Sequence, residues 1–174
     1  QLIKGFEKSL IKFPNNKLVT LGPQDAKGGA DEEFFKEMNY YIKSNNLADK
    51  VEFMKPIFDK QKLFEELNKA DVICVPTITG ETFSMAILEV MSIKKPVLVS
   101  DFPPMIEAVE HLKTGYVSKV ANEDSLKEGI EYFSENKEKI NSMGEAAYNK
   151  LINEFTVDKI VDTYLNDFEK MRKE

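Results

Sequence analysis

The feature that most constrains the fold of this chain is its alternation of short, β-branched apolar runs with longer segments of helical spacing. Parallel strands need crossover connections of this length, and the crossovers place helices on both faces of one sheet. The sequence therefore predicts a three-layer α/β/α domain with a mostly parallel sheet of about five strands. The predicted strands are residues 17–21, 51–54, 71–76, 96–100 and 115–120.

Helical patterns fill the intervals between these strands. Asp31 is predicted to cap the second helix, and Thr156 and Asp158 are predicted to cap the last one. The helices before and between the strands are expected near 1–11, 31–45, 61–69, 83–93 and 104–111.

The C-terminal third of the chain has only helical pattern. It runs from Glu123 to the end, with a first break near 135–137. A second break, at 155–156, separates residues 1–154, which we predict to form the domain, from a last helix within 155–174. A helical tail of this kind is typical of a segment that docks elsewhere.

Composition narrows the function classes. The 174 residues, 42% of them apolar, suffice for one substantial core, so one domain is expected. With 24 basic and 30 acidic residues the net charge is −6, which argues against sequence-independent nucleic-acid binding. The only cysteine, Cys74, lies in the apolar run DVICVP and is interpreted as a buried strand residue. Because no apolar stretch approaches the roughly 18 residues that span a bilayer, we expect a cytoplasmic protein.

The first residues of the chain already form a helical stripe. Leu2, Ile3, Phe6 and Leu10 are apolar at helical spacing, with no strand or cap before them. We therefore expect a further segment upstream of Gln1.

Candidate ligand contacts follow from the predicted sheet, because ligands of open parallel sheets bind beyond the carboxyl ends of the strands. The strand-end segments are 22–23, 55–56, 77–81 and 100–104. The third is the most informative, since TITGETFS leads into a helix whose residues 85–91 are almost all apolar. That composition predicts a buried helix.

Two glutamates mark this loop and helix. Glu89 has no evident route to water, and an unsatisfied buried carboxylate costs roughly several kcal/mol, so a ligand hydroxyl pair is one solution. Glu81 lies eight residues earlier, about 12 Å of helical rise away, so the two cannot share a proton. The spacing suits contacts to both ends of an elongated ligand. The amides of 82–85, at the positive helix terminus, would then bind a diphosphate close to the small Ser84.

The alternative assigns no ligand to either glutamate. Glu81 is then a solvated loop residue, and Glu89 pairs with a neighbouring lysine such as Lys94 or Lys95.

Other candidates are weaker. The glycine pair 28–29 lacks the spacing of known phosphate loops and is interpreted as a surface loop. His111, the only histidine, follows a helix end without a Ser or Cys companion, so packing or exposure is favoured over catalysis. Acids within 101–111 are scattered, and no metal site is predicted. A receiver-type signalling module would need a phosphorylatable Asp after the third strand, where this chain has TITGE.

The order of an ADV-type strand, a proline and two glutamates with seven residues between them appears in ADVICVPTITGETFSMAILEVMSIKKPVLVSD. This pattern resembles the C-terminal, donor-binding domain of family 4 (group 1) retaining glycosyltransferases, which have the GT-B fold of two Rossmann-like domains facing across a cleft. LVTLG, VEFMKPI, KTGYVSKVANEDSLKEGI and EFT also resemble that family. The likeness covers nearly the whole chain.

The resemblance implies roles for individual residues. Glu89 matches the second glutamate and would hold the ribose hydroxyls of the donor nucleotide. Glu81 matches the first and would contact the transferred sugar, as the catalytic residue. The other implied donor-binding residues are Thr82, Phe83, Ser84 and Met85 at the diphosphate, Gly22 at a strand end, and Lys55, Pro56 and Ile57 beside the base.

The resemblance also implies an activity for the complete protein. A nucleoside-diphosphate sugar would be the substrate of retaining, hexosyl-type transfer in glycan biosynthesis, without a cofactor or a metal. An N-terminal domain outside this chain would hold the acceptor. The helix of 155–174 would pack on that domain. Any peripheral membrane association would also occur through it. The first strand of the donor domain, with a diphosphate-binding arginine and lysine, would precede Gln1, so the chain alone is expected to be inactive.

Two alternatives stay open: a non-catalytic nucleotide-binding or signalling α/β module, and a catalytically dead glycosyltransferase relative.

The chain departs from the family pattern at three places. Glu-Thr-Phe-Ser stands where Glu-Gly-Phe-Gly is common, which keeps a small residue at Ser84. Pro103 and Pro104 replace a glycine pair and remove two amide donors. Lys55 stands where glycine is usual.

Overall fold

The computed structural model describes residues 1–26, 31–78 and 83–172. Helices and strands alternate along the first two thirds of the chain, and helices alone follow, which confirms the predicted order. The elements are α1 Leu2–Ser9, β1 Leu18–Leu21, α2 Glu32–Ser44, β2 Val51–Met54, α3 Lys60–Asn68, β3 Ile73–Val75, α4 Met85–Ser92, β4 Val97–Ser100, α5 Pro103–Ala108, β5 Gly115–Ser118, α6 Glu123–Glu135, α7 Lys137–Glu154 and α8 Val157–Met171.

Every strand pairing among the described residues is parallel, as predicted. The strands form two sheets, β1-β2 and β3-β4-β5. Leu18 pairs with Val51 in the first sheet, and Val97 lies between Ile73 and Gly115 in the second. The expectation of one sheet of about five strands is therefore refined, because no ladder joins β1 to β3 within the part of the chain that the structure describes.

Helices cover both faces of the second sheet. Val97 and Val99 belong to a core cluster with residues of α4, α5 and α7. Leu98 points to the opposite side, where it packs with Leu126 and Phe133 of α6. Successive strand residues thus enter different cores, which confirms the three-layer arrangement.

The first sheet has a core on one face. Phe6 of α1, Ile42 of α2 and Val51 of β2 form this cluster. On β1, Val19 and Leu21 alternate with half-buried neighbours and are exposed.

Helix packing connects the two sheets. A Cβ on Gly5 of α1 would lie 2.8 Å from the carbonyl oxygen of Glu123 and 2.9 Å from Cβ of Leu126, so α1 approaches α6 at a distance that only glycine permits. Lys8 donates a 2.8 Å hydrogen bond to Asp124 at the same interface.

The predicted helix caps differ in outcome. Asp31 accepts from the backbone N–H groups of Glu33 and Phe34 at 3.0 and 3.1 Å, which confirms it as the N-cap of α2. Thr156 occupies the predicted N-cap position of α8, but its side chain makes no capping hydrogen bond, and Asp158 lies in the first turn of the helix.

None of the helices among the described residues is both long enough and apolar enough to cross a bilayer.

Candidate functional site

Three of the predicted strand ends lie where the sequence placed them. Gly22 follows β1, Lys55 follows β2, and Asp101 follows β4. The Gly22 N–H donates to the carbonyl oxygen of Met54 at 3.2 Å, so the ends of β1 and β2 are held together. These positions follow the carboxyl ends of strands in the two parallel sheets, where ligands of parallel sheets bind.

Lys55, Pro56 and Ile57 leave β2 toward α3. Lys55 is exposed, while Pro56 and Ile57 are half-buried. Gly22 has space around it, since a Cβ there would meet no atom of the described residues within 4 Å. The predicted base-binding segment is therefore accessible.

The loop after β3 carries the predicted sugar contact. Glu81 and Thr82 lie outside the described residues, and their roles stay predictions. The described chain resumes at Phe83, directly before the N-cap of α4.

The amino end of α4 is free of its own side-chain cap. Ser84 has the extended backbone of an N-cap and is 4% exposed, but its side chain makes no capping hydrogen bond. Met85, the first helical residue, is 63% exposed. The first N–H groups of a helix have no partner within the helix and carry partial positive charge. The arrangement thus has the chemistry of an anion site, at the position predicted for a diphosphate.

The exposure of Glu89 differs from the prediction that α4 is a buried helix. The helix buries Ile87, Val90 and Met91, but it is not buried all round, and the Glu89 side chain is 33% exposed. Its Oε1 atom lies 3.4 Å from Nζ of Lys60, at the first turn of α3. The expectation that Glu89 has no route to water is therefore wrong, because only Ile87, Val90 and Met91 of α4 are buried and Glu89 is half-buried beside them.

The lysines named in the alternative interpretation have other partners. Lys94 pairs with Glu145 at 3.0 Å, and Lys95 donates to the carbonyl oxygen of Ala70 at 2.8 Å. Exposed ion pairs contribute only about 0–1 kcal/mol, so the Lys60 contact leaves Glu89 available to a ligand hydroxyl pair.

The loop after β4 provides few donors. Pro103 and Pro104 start α5 with Pro at the first helical positions, where their missing N–H groups cost no hydrogen bond within the helix. The predicted loss of two amide donors at this loop is confirmed.

His111 has a structural role, as predicted. Its Nδ1 atom accepts a 3.0 Å hydrogen bond from the Val117 N–H, and its ring packs edge-on against Tyr116. No group of three or more metal-ligating side chains occurs within the described ranges.

Two clefts lie elsewhere on the described surface. A cleft of about 550 Å³ lies at α2 and the first sheet, lined by residues such as Lys17, Gln24 and Phe35. A second, of about 480 Å³, lies beside Ile106 and His111. Neither of these two clefts is lined by Glu89 or Ser84.

Two contacts were missed by reasoning from the sequence. Lys60 pairs with Glu89, and Phe155 packs against Phe83 with ring centroids 5.8 Å apart. Both join residues distant in sequence. The motif EFT, which contains Phe155, indicates by itself only the start of the last helix.

The sequence matches the model of the family "Glycosyl transferases group 1" over residues 1–150. The chain belongs to this family. No curated protein matches the sequence significantly.

Solved structures with the same fold include whole glycosyltransferases. Sucrose-phosphate synthase from Thermosynechococcus elongatus is 19% identical, with a TM-score of 0.80 over 98% of this chain and 42% of that protein. HepE from Anabaena, solved with UDP and glucose, is 20% identical, with a TM-score of 0.80 over 97% of this chain and 43% of that one. The chain thus spans about two fifths of these group 1 relatives' length.

A third structure consists of a C-terminal domain only. It comes from the group 1 protein LpcC of Francisella tularensis and is 17% identical, with a TM-score of 0.78. The alignment covers 89% of this chain and 77% of that domain. This group 1 chain therefore has the fold of a GT-B C-terminal domain.

Proposed function

We propose that this domain binds the nucleoside-diphosphate sugar donor of a retaining glycosyltransferase. The observation that carries the proposal is the uncapped amino end of α4 at the carboxyl edge of the sheet, with Glu89 one turn further along. Four residues of helical rise, about 6 Å, separate Met85 from Glu89. That interval suits a diphosphate at the helix terminus and a ribose whose two hydroxyls donate to the Glu89 carboxylate.

We propose that the remaining predicted residues have the roles that the family resemblance implies. Glu81 precedes α4 in sequence and is proposed to contact the transferred sugar. Lys55, Pro56 and Ile57, at the end of β2, are proposed to line the base pocket. HepE, of the same fold, was solved with UDP and glucose, which supports a uridine nucleotide as the first donor to test.

The chemistry proposed for the complete protein needs a second domain. The described residues offer helix-terminal amides and a partly exposed carboxylate, and they contain no group of three or more side chains able to hold a metal. We infer that the acceptor is held by an N-terminal domain across the cleft, and that the leaving diphosphate is stabilised by amides and basic side chains.

Helix α8 is the proposed contact to that N-terminal domain. It has no buried residue, and its apolar side chains recur at helical spacing on an exposed stripe. The stripe contains Val157, Ile160, Val161, Tyr164, Phe168 and Met171. In the complete protein, Phe168→Glu should loosen the C-terminal helix, measured as faster amide exchange in α8; unchanged exchange would contradict the contact.

The proposed function is tested by titrating the chain with UDP, GDP and ADP. We expect weak binding by the parent and loss of about tenfold or more in affinity for Glu89→Ala, because two charge-assisted hydrogen bonds are removed. Glu145→Ala is the matched control, since it also removes an ion-paired glutamate, on α7, and should leave the affinity unchanged. Equal affinity of Glu89→Ala and the parent would reject the assignment.

Activity is tested separately in the complete protein. Donor hydrolysis, followed by NMR of the released sugar's anomeric configuration, distinguishes a retaining enzyme from an inverting one. Donor binding without hydrolysis or transfer would indicate a catalytically dead relative.

A further inference from the structure

Two aromatic rings meet behind the proposed diphosphate site. Phe83 comes directly before Ser84, the N-cap of α4, and its ring is 5.8 Å from that of Phe155, with the planes at 41°. Aromatic pairs at centroid distances of about 4.5–7 Å attract one another beyond their buried area. The contact therefore restrains the residue that precedes the amino end of α4.

Phe155 is itself held firmly. It is half-buried and packs against the core cluster that contains Ile87, Val90 and Met91 of α4. Its N–H donates to the carbonyl oxygen of Leu151 at 2.9 Å, which ends α7. Phe83 thus packs on a ring that the core of the second sheet keeps in place.

Helix α7 contacts the α4 region at both ends. A Cβ on Gly144 would lie 1.9 Å from the carbonyl oxygen of Lys94, just after α4, so the two backbones touch there. Gly144 lies within α7, and Phe155, beside Phe83, directly follows the last residue of the helix. The helix therefore acts as a brace along α4, from the residue before its N-cap to the residues after its C-terminus.

A tertiary brace is needed because α4 lacks local support at its amino end. Ser84 makes no side-chain capping bond, and Met85 is largely exposed. Capping side chains normally orient the first turn of a helix. Here the Phe83–Phe155 contact joins the segment 83–85 to the core, together with the burial of Ser84.

We propose that Phe155 is a positioning residue for the donor site: through Phe83 it holds the backbone of 83–85 in the conformation that presents its amides to the diphosphate. This inference rests on the proposed function. Helix α8 begins at Val157, two residues after Phe155.

Nucleotide affinity of the full chain tests the proposal. Phe155→Ala should weaken binding of the best nucleotide among UDP, GDP and ADP by about tenfold, whereas Phe155→Tyr, which keeps the ring, should bind like the parent. Phe83→Ala and the Phe83→Ala/Phe155→Ala double variant should weaken binding to the same extent as Phe155→Ala alone, because each removes the same contact.

Leu151→Ala is the matched control. Leu151 lies one turn earlier on α7 and packs against the same core cluster, but its side chain has no ring to place on Phe83. The control should lose stability and keep nucleotide affinity, and amide exchange at 83–85 should be faster in Phe155→Ala than in the control. If Phe155→Ala does not fold, Phe155→Leu replaces it.

The outcomes separate the two proposals. If the parent, Phe155→Ala and Leu151→Ala all bind nucleotide equally well, Phe155 has no positioning role. The proposed function is then unaffected. Equal amide exchange at 83–85 in the two variants overturns the positioning role as well. A parent that binds none of the three nucleotides contradicts the proposed function, and the donor role of Phe155 with it.

Discussion

The two sheets of this chain differ in how completely they are enclosed. All four residues of β4 are buried, because β4 has a strand on each edge and helices on each face. In β1, Val19 and Leu21 are exposed, because β1 has one strand neighbour and one covered face. The second sheet is therefore the part whose packing holds α4 and the proposed donor site, whereas the first sheet presents an open edge and an open face.

The largest expected difference between the sheets is in the loss of stability when one leucine in each is replaced by alanine. Leu98→Ala, in β4, should lower the free energy of unfolding by about 2–5 kcal/mol, since Leu98 is fully buried between two helical layers. Leu21→Ala, in β1, should cost less than about 1 kcal/mol, because Leu21 is 36% exposed. Urea denaturation of both variants measures the contrast, and equal losses would show that the first sheet is packed as tightly as the second.

A smaller difference is expected between two glycines. Gly144→Ala should destabilise by about 1–3 kcal/mol, because the new methyl group would collide with the carbonyl oxygen of Lys94, which belongs to the backbone. Gly22→Ala, at the end of β1, has free space and should change stability by less than about 1 kcal/mol. Thermal unfolding of each variant measures this, and a neutral Gly144→Ala would refute the close approach of α7 to α4.

The smallest expected effect is electrostatic and depends on pH. Lys113 and then Lys150 hydrogen-bond to Glu110, after α5, and lower its pKa from the ordinary value of 4.5. Because the pKa of Glu110 is lower in the folded state, its interactions with the two lysines stabilise the fold fully at pH values above the unfolded-state pKa. This stabilisation disappears as the pH falls through the folded-state pKa. Glu110→Gln should therefore be less stable than the parent at pH 7, and the gap should close toward about pH 3.

Urea titrations at several pH values check this prediction. Glu52→Gln, an exposed carboxylate of β2, is the matched variant in the first sheet and should change stability at pH 7 by less than about 0.5 kcal/mol. A gap between Glu110→Gln and the parent that widens in acid would contradict a lowered pKa of Glu110 in the folded state.

Much of the fold could be predicted because its signals are local. Strand runs such as 96–100 and helical stripes such as 123–135 reflect side-chain periodicity within one segment. The Asp31 cap needs only two amides that follow it in the chain. The position of Ser84 and Met85 at the start of α4 likewise follows from a strand, a loop and a helix in sequence.

The surroundings of Glu89 could not be predicted in the same way. A run of apolar residues indicated burial all round, yet α4 packs on one side only and leaves Glu89 one third exposed. Its partner Lys60 comes from α3, and the position of α3 depends on how the chain crosses from β2 to β3. Lys94 and Lys95 are closer to Glu89 in sequence, but in the fold Lys94 pairs with Glu145 and Lys95 donates to the carbonyl oxygen of Ala70.

The sequence by itself determined the α/β class, the order of elements and the family, because periodicity and motif spacing lie within short segments. Tertiary structure alone decided that the strands form two sheets, that Glu89 meets Lys60, and that Phe155 packs against Phe83. The physical reason is that these contacts join segments far apart in the chain. These contacts form only when whole helices and sheets pack together. The residue pattern of a single segment therefore does not predict them.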